Sequence, residues 1–116
     1  MKSVLVIEDE ELLRCLLRDI FSEAGFAVYE ARNGDEGLKL AAIFGFDIIL
    51  SDIEMPVKNG IEFLKEFRRA DRLTPVVMMS GGYTATENEL FELGADMFIR
   101  KPFLDIQYLL QAVIVA

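Results

Sequence analysis

The sequence contains no histidine and only one cysteine among its 116 residues. Without histidine, the chain has no histidine-ligated metal site, no Ser-His-Asp triad and no histidine general base. The single cysteine, Cys15, excludes an internal disulfide and a cysteine-based zinc site, and its helix-forming neighbours favour a packing role. These absences remove several common classes of active site.

Basic residues are also few. The chain has 12 Lys and Arg against 20 Asp and Glu, which gives a net charge of −8. Direct nucleic-acid binding requires clustered basic side chains, and the pairs Arg68-Arg69 and Arg100-Lys101 are too short to form such a cluster. We therefore expect no direct contact with nucleic acid, whereas an acidic surface suits a protein that binds other proteins.

Long hydrophobic runs are absent as well. The N-terminus has three residues, then four apolar residues and four acids, which is too short for a signal peptide or a membrane span. We expect no membrane contact and a cytoplasmic location. With 53% apolar and 28% charged residues and no linker, repeat or low-complexity stretch, we expect one domain over residues 1–116.

Short apolar runs alternate with amphipathic stretches along the chain. Residues 4–7 and 76–79 are continuously apolar and rich in β-branched residues, as in strands buried on both faces of a parallel sheet. The predicted strands are residues 4–7, 27–29, 48–50, 76–79 and 97–99. The first predicted helix ends at Gly25, and the second runs from its cap at Asn33, with Glu36, to Gly45. The third begins at Asn59-Gly60, and the fourth runs from a cap at Thr84 or Thr86 to Gly94. The fifth begins at about Phe103.

The strict alternation of five strands with five helices predicts an α/β fold with a parallel sheet and right-handed crossovers. At this length the natural architecture is a doubly wound three-layer sandwich, since an eight-fold barrel needs roughly twice the residues. In such sheets, ligands bind outside the carboxyl ends of the strands. The residues that follow the apolar runs are therefore the candidates for a functional site.

Three acids follow two of the predicted strands at this edge. Glu8 and Asp9 come after the first strand, and Asp52 comes shortly after the third. Neighbouring carboxylates repel one another, and a hard cation such as Mg²⁺ with oxygen ligands relieves that repulsion. We therefore predict a divalent-cation site at these three residues, whereas Glu10 and Glu11 are interpreted as acids of a helix first turn.

Asp52 is the candidate for the reacting side chain. A carboxylate at the end of an apolar strand can act as the nucleophile toward a phosphoryl group and form an acyl phosphate. Phosphoryl transfer also needs positive charge near the equatorial oxygens, and Lys101, after the fifth strand, supplies that charge. Ser80, after the fourth strand, could donate a hydrogen bond to a phosphoryl oxygen, although a turn serine explains it equally well at this point.

Taken together, these motifs resemble the receiver domain of bacterial two-component response regulators. The residues that carry the resemblance are Glu8-Asp9, Asp52-Ile53-Glu54-Met55-Pro56 with Asn59-Gly60, Ser80 and Lys101-Pro102-Phe103. The match runs from about Lys2 to the C-terminus. It implies a flavodoxin-like sandwich with five parallel strands in the order 2-1-3-4-5, and this order comes from the resemblance alone.

The resemblance also implies a role for each matching residue. Asp52 would be the phosphoacceptor and Lys101 its positive partner, with Ser80 as the switch hydroxyl and Phe98 as the switch aromatic. The implied ligands of Mg²⁺, or of Mn²⁺ in its place, are Asp9 and Asp52, the backbone carbonyl of Glu54, and Glu8 through water. Such a domain is a switch that catalyses only its own phosphorylation and dephosphorylation, and not an enzyme acting on other substrates.

Partners are implied by the same resemblance. A histidine kinase or a phosphotransfer protein would be the phosphodonor, because it carries the histidine that this chain lacks. The output partner is unspecified, since the chain is either a complete single-domain regulator or the receiver of a longer protein with an output domain. A homodimer through the fourth and fifth helices is compatible with this arrangement, although no residue pattern specifies it.

The sequence departs from the family pattern at a few positions. Gly81 stands where alanine is more common, and Gly82 follows it, so the loop after the fourth strand is expected to be softer than usual. Asn59 replaces a common aspartate, which affects only helix capping. Phe98 lacks the hydroxyl of tyrosine and can exchange between buried and exposed positions only as an apolar ring.

Two other functions stay open on the residues alone. Glu8 with Asp52-x-Glu54 also resembles the acid pattern of Toprim-type metal-dependent nucleic-acid enzymes. The net charge of −8 counts against that function, which would also leave Ser80 and Lys101-Pro102 unexplained. A degenerate receiver that binds partners without phosphorylation would not need the intact acid set. A flavin module is disfavoured further, because four acids after the first strand would repel its phosphate.

Overall fold

The computed structural model describes residues 2–82, 87–101 and 111. The strands are β1 (Ser3–Ile7), β2 (Ala27–Ala31), β3 (Ile48–Asp52), β4 (Val76–Ser80) and β5 (Met97–Arg100). The helices in the described ranges are α1 (Glu11–Glu23), α2 (Gly34–Ile43), α3 (Gly60–Ala70) and α4 (Glu87–Glu92). The predicted fifth helix, from about Phe103, and the predicted α4 caps Thr84 and Thr86 lie outside the described residues. Within those ranges, no helix combines the length and apolar character needed to cross a bilayer.

The five strands form one parallel sheet in the order β2-β1-β3-β4-β5. This confirms the predicted doubly wound α/β fold and the strand order that the resemblance implied. Within the described residues β2 pairs only with β1, and Tyr29 in its centre is 37% exposed. The edge position therefore explains why β2 has the weakest apolar pattern of the five.

The strands bury side chains on both faces. In β1, Leu5 and Ile7 point into one core while Val4 and Val6 point into the other, and all four are fully buried. The first core includes side chains of α2, α3 and α4, and the second includes side chains of α1. Because apolar residues fill both faces, polar functional residues are left to the strand ends and the loops beyond them.

Glycines mark three helix ends, but they do so in two ways. Gly25 and Gly94, just beyond α1 and α4, have left-handed φ angles of 94° and 109°. Gly45 lies two residues beyond α2, close to the predicted position, but it is not left-handed. That helix ends because Phe44 is extended, with φ −115° and ψ 144°, and its ring packs 5.0 Å from that of Tyr29.

Asparagine caps start α2 and α3. Asn59 and Glu62 form a reciprocal capping box at α3, which holds the chain that leaves β3. Asn33 accepts a hydrogen bond from the Glu36 N–H at α2, as predicted. The Glu36 carboxylate, however, accepts from the N–H of Arg32 at 3.0 Å, and therefore the second half of that capping box is shifted by one residue.

The loop between β3 and α3 contains a strained backbone position. Val57 is the one non-glycine residue in the described ranges with a positive φ, of 69°. The N–H of Lys58 donates to the carbonyl of Pro56 at 2.8 Å, so Val57 is the centre of a γ-turn. A β-branched side chain disfavours this conformation, and that of Val57 is 82% exposed, so little packing offsets the strain.

We expect Val57→Gly to raise the free energy of unfolding by about 1 kcal/mol. Glycine relieves a strain of about 1–3 kcal/mol but gives the unfolded chain more freedom, which removes part of the gain. Urea-induced unfolding measures the difference. Leu73→Gly is the matched control, because Leu73 is 92% exposed in a loop and has no positive φ. That control should destabilise the protein, and equal effects of the two substitutions would contradict the strain.

Candidate functional site

Three carboxylates meet at the carboxyl ends of β1 and β3. Glu8 directly follows β1, Asp9 is the next residue, and Asp52 is the last residue of β3. One carboxylate oxygen from each of the three residues lies within 4.8 Å of the other two. Glu8 is fully buried and Asp52 is 2% exposed, whereas Asp9 faces solvent. The sheet thus brings together the three acids that the sequence placed at this edge.

Lys101 joins this acid cluster from the end of β5. Its N–H donates to the carbonyl of Ser80 at 2.9 Å, which fixes its backbone beside the end of β4. Its Nζ lies 2.7 Å from Oε1 of Glu8 and 3.2 Å from Oδ1 of Asp52. The ammonium group therefore contacts the two buried acids of the cluster.

Burial dominates the electrostatics of these groups. It raises the pKa of Glu8 to about 7, against hydrogen bonds from Lys101 and from the N–H of Glu10. Burial also raises the pKa of Asp52, against the charge of Lys101 and its hydrogen bond. Burial lowers the pKa of Lys101, but its hydrogen bond to Glu8 and the charge of Asp52 outweigh that effect, and the pKa is raised. Even with the lysine in contact, the ionised forms of Glu8 and Asp52 are therefore disfavoured, and additional positive charge would stabilise them.

This shortage of positive charge fits a hard divalent cation. Three carboxylates and one ammonium carry two net negative charges when all are ionised. Carboxylate oxygens within 4.8 Å of one another can share a single ion, either directly or through a water molecule. Because Asp9 faces solvent, an ion can reach the cluster without disturbing the buried acids.

The raised pKa of Glu8 predicts an inverted pH dependence of stability in the metal-free protein. A carboxyl group with a pKa of about 7 in the folded state and 4.5 in its ordinary state binds its proton more tightly when folded. Its contribution to the free energy of unfolding is therefore complete below pH 4.5 and lost as the pH rises to about 7. We expect urea unfolding in EDTA to show this loss, and Mg²⁺ to restore stability mainly above pH 7.

The substitution Glu8→Gln isolates this effect from the other titrating groups. Stability in EDTA should fall less with rising pH in Glu8→Gln than in the wild type, because glutamine does not ionise. Glu66→Gln is the control, since the Glu66 side chain is 45% exposed and pairs with Lys58. A pH profile of Glu8→Gln parallel to that of the wild type would contradict the raised pKa.

Ser80 lies at the end of β4, but its hydroxyl is engaged by a residue of the neighbouring loop. Ser80 is 2% exposed, and its Oγ lies 2.7 Å and 2.8 Å from the two carboxylate oxygens of Glu54. The N–H groups of Gly81 and Gly82 also donate to Oε1 of Glu54, at 3.2 Å and 3.3 Å. The sequence predicted a backbone carbonyl ligand at Glu54 or, in the Toprim-type alternative, an acid of the metal site, but not this contact of its side chain with Ser80. The one available signal was the Ser-Gly-Gly sequence, which can aim successive N–H groups at an anion.

Phe98 lies in β5, on the side of the sheet that carries α2, α3 and α4. Its ring is partly buried against that core, and the guanidinium carbon of Arg100 lies 5.5 Å from its centroid. The ring is thus neither fully buried nor fully exposed in this structure.

The sequence profile of the response regulator receiver domain matches residues 4–114. The chain belongs to this family. It is similar to the transcriptional regulatory protein CpxR of Klebsiella pneumoniae subsp. pneumoniae (strain HS11286), with 38% identity over 106 residues, which are 90% of this chain and 45% of CpxR. The chain thus spans less than half the length of CpxR and of other curated relatives that it matches.

Solved structures agree with this assignment. The chemotaxis protein CheY4 of Vibrio cholerae superposes with a TM-score of 0.87 and 33% identity, over 97% of this chain and 95% of that one. The response regulator TrrA of Thermotoga maritima, solved in complex with Mg²⁺-BeF, superposes with a TM-score of 0.85 and 29% identity, over 97% and 96% of the two chains. Receiver domains are switch domains of two-component signal transduction, and phosphorylation-based signalling is the function of this domain.

Proposed function

We propose that Asp52 is the phosphoacceptor of this receiver domain. A carboxylate oxygen of Asp52 attacks the phosphorus of a phosphohistidine, and the P–N bond breaks with its electron pair left on the imidazole nitrogen. The donor is a histidine kinase or a phosphotransfer protein. The observation that carries this proposal is the contact of Lys101 Nζ with Asp52 Oδ1 at 3.2 Å, inside a cluster of three acids.

The residues around Asp52 have separate tasks in this proposal. Lys101 provides positive charge for the phosphoryl oxygens, and its contact with Glu8 keeps the ammonium group at the cluster. The ligands proposed for Mg²⁺, or for Mn²⁺, are Asp9, Asp52, the backbone carbonyl of Glu54, and Glu8 through water. The metal, when bound, would neutralise negative charge on the carboxylates and on the transferred group. The solved complex of TrrA with Mg²⁺-BeF supports a site of this kind.

The output of phosphorylation is a change of surface. Phosphorylation adds about −1.5 to −2 charges at Asp52 together with new acceptor oxygens. Ser80 then donates to the phosphoryl group, the loop after β4 shifts, and Phe98 turns inward. A partner recognises the changed surface formed by α4, β5 and the predicted fifth helix. That partner is either another protein or an output domain of a longer chain, and the same surface is the candidate for a homodimer.

Phosphoryl transfer from a small acyl-phosphate donor tests this function. Incubation of the protein with Mg²⁺ and the donor should add one phosphoryl mass in intact-protein mass spectrometry, and EDTA should prevent it. Hydroxylamine should then remove the added mass, because it cleaves acyl phosphates and leaves serine phosphate esters intact. A protein that gains no phosphoryl mass, or one that keeps it in hydroxylamine, would refute the proposal. Mg²⁺-dependent cleavage of DNA would instead favour the Toprim-type alternative.

A further inference from the structure

We propose that the carboxylate of Glu54 competes with the phosphoryl group on Asp52 for the hydroxyl of Ser80 and the N–H of Gly81. In the unphosphorylated protein this carboxylate would hold Gly81 and Gly82, which directly follow β4, in their resting arrangement. The inference rests on the proposed function, because it concerns how phosphorylation of Asp52 moves these two residues. It adds a positioning role for a side chain that the proposed chemistry does not otherwise use.

Three donors from consecutive residues at the end of β4 form a small anion site around the carboxylate of Glu54. Ser80 Oγ, Gly81 N and Gly82 N all lie within hydrogen-bond distance of Oε1, at 2.7 Å, 3.2 Å and 3.3 Å. The N–H of Gly82 also approaches Ser80 Oγ at 3.0 Å, which links the hydroxyl to the same turn. Converging N–H groups and a hydroxyl are the donors that bind phosphate oxygens in proteins. In this structure, these donors bind a carboxylate of the chain itself.

The same donors cannot serve both anions at once. A serine hydroxyl carries one proton, so Ser80 donates one hydrogen bond at a time. Charge acts in the same direction, because the negative charge of Glu54 contributes to the raised pKa of Asp52, after burial as the main cause. A phosphoryl group, with a larger charge than the carboxylate of Asp52, repels Glu54 more strongly. Phosphorylation therefore both attracts the donors away from Glu54 and repels its carboxylate.

Space is available for the displaced side chain. A depression of about 290 Å³ adjoins Glu54 and is otherwise lined by Ile53, Met55, Pro56, Asn59 and Ile61. Because Glu54 lies beyond the end of β3, its side chain could rotate toward this depression about its own torsions. Release of the carboxylate would thus free the loop while leaving the metal site and Asp52 in place.

The substitution Glu54→Ala tests the competition directly, since it keeps the backbone carbonyl and removes the carboxylate. Beryllium fluoride with Mg²⁺ serves as the phosphoryl analogue, and amide NMR signals follow the titration. We expect Glu54→Ala to bind the analogue roughly three- to tenfold more tightly than the wild type, the range of one recovered hydrogen bond. Glu66→Ala, which removes an equal charge from a carboxylate paired with Lys58, should bind like the wild type. Unchanged or weaker binding by Glu54→Ala would overturn the proposal.

A second measurement needs no phosphoryl group or analogue. In the metal-free protein, the amide of Gly81 should exchange with solvent faster in Glu54→Ala than in the wild type, because it loses its acceptor, whereas the amide of Gly82 keeps the Oγ of Ser80 at 3.0 Å. Equal exchange rates of the Gly81 amide in the two proteins would overturn the proposal. In a Ser80→Ala background, Glu54→Ala should improve analogue binding less, and an undiminished gain would show that the hydroxyl of Ser80 is not what the carboxylate withholds.

These outcomes separate the inference from the proposed function. If the wild type accepts a phosphoryl group on Asp52 but Glu54→Ala binds the analogue no more tightly, only the role of Glu54 fails. If the wild type accepts no phosphoryl group, the proposed function fails, and the inference that rests on it fails as well. The exchange rate of the Gly81 amide then still reports whether the Glu54 carboxylate holds this residue.

Discussion

Asp52→Asn should lower phosphoryl labelling by the acyl-phosphate donor by about 10³-fold or more, because it removes the nucleophilic oxygen of the proposed reaction. The same substitution should leave the free energy of unfolding of the metal-free protein unchanged or raised. Burial raises the pKa of Asp52, which means that the folded state disfavours its charged form. Asparagine keeps the shape and an oxygen that can accept from the N–H of Ile53, now at 2.9 Å from Oδ1. Loss of labelling would thus occur without loss of folding.

Two measurements on three proteins check this prediction. Intact-protein mass spectrometry gives the extent of labelling, and urea unfolding in EDTA gives stability. Asp35→Asn is the matched control, because Asp35 is a half-exposed acid in the first turn of α2 that pairs with Lys39. It should label like the wild type. Full labelling of Asp52→Asn would place the acceptor on another residue and remove the basis of the proposed chemistry.

Gly60→Ala should cost about 3 kcal/mol or more of the free energy of unfolding. A Cβ atom at this position would lie 2.1 Å from the backbone oxygen of Asp52 and 2.9 Å from the Cα of Ile53. Both neighbours are backbone atoms, so no side-chain rotation relieves the overlap. The first turn of α3 or the end of β3 would have to move, and labelling of the surviving folded protein should fall because the Asp52 backbone moves with it.

Gly45→Ala is the control for this second prediction. A Cβ atom at Gly45 would meet no atom within 4 Å, and the residue has no positive φ. Alanine there should change the free energy of unfolding by no more than about 1 kcal/mol. The expected direction is an increase, because alanine lowers the conformational entropy of the unfolded chain. Thermal and urea unfolding of the two variants give the comparison. If Gly60→Ala were as stable as Gly45→Ala, the close packing of α3 against the end of β3 would be wrong.

The residues themselves were enough to predict the layers of the fold and the position of the acid cluster. Continuous apolar runs specify strands buried on both faces, and the carboxyl ends of parallel strands necessarily share one edge. Glu8, Asp52 and Lys101 could therefore be placed together although they are far apart in the chain. The strand order could not be read this way, because an apolar run does not encode its neighbour, and it came from the resemblance to receiver domains.

The side-chain conformations and contacts within the site could not be predicted from the sequence. Nothing in the pattern Asp52-x-Glu54 tells whether the second carboxylate faces solvent, a metal or a loop, since that depends on a rotamer and on the path of Gly81 and Gly82. The γ-turn at Val57 was equally hidden, because valine disfavours a positive φ and the loop imposes it. Both features depend on loop conformation, which periodicity in the sequence does not determine.

The backbone hydrogen bond from Lys101 to the carbonyl of Ser80 has a consequence for how this receiver can vary. This hydrogen bond joins the peptide group before Lys101 to the peptide group after Ser80, so a shift of one peptide group is transmitted to the other. A relative with a different loop after β4 should therefore also differ in the position of the Lys101 ammonium group relative to Asp52. We therefore expect the rate of phosphorylation and the size of the surface change to vary together among receivers. Exchanging this loop between two receivers should change both quantities.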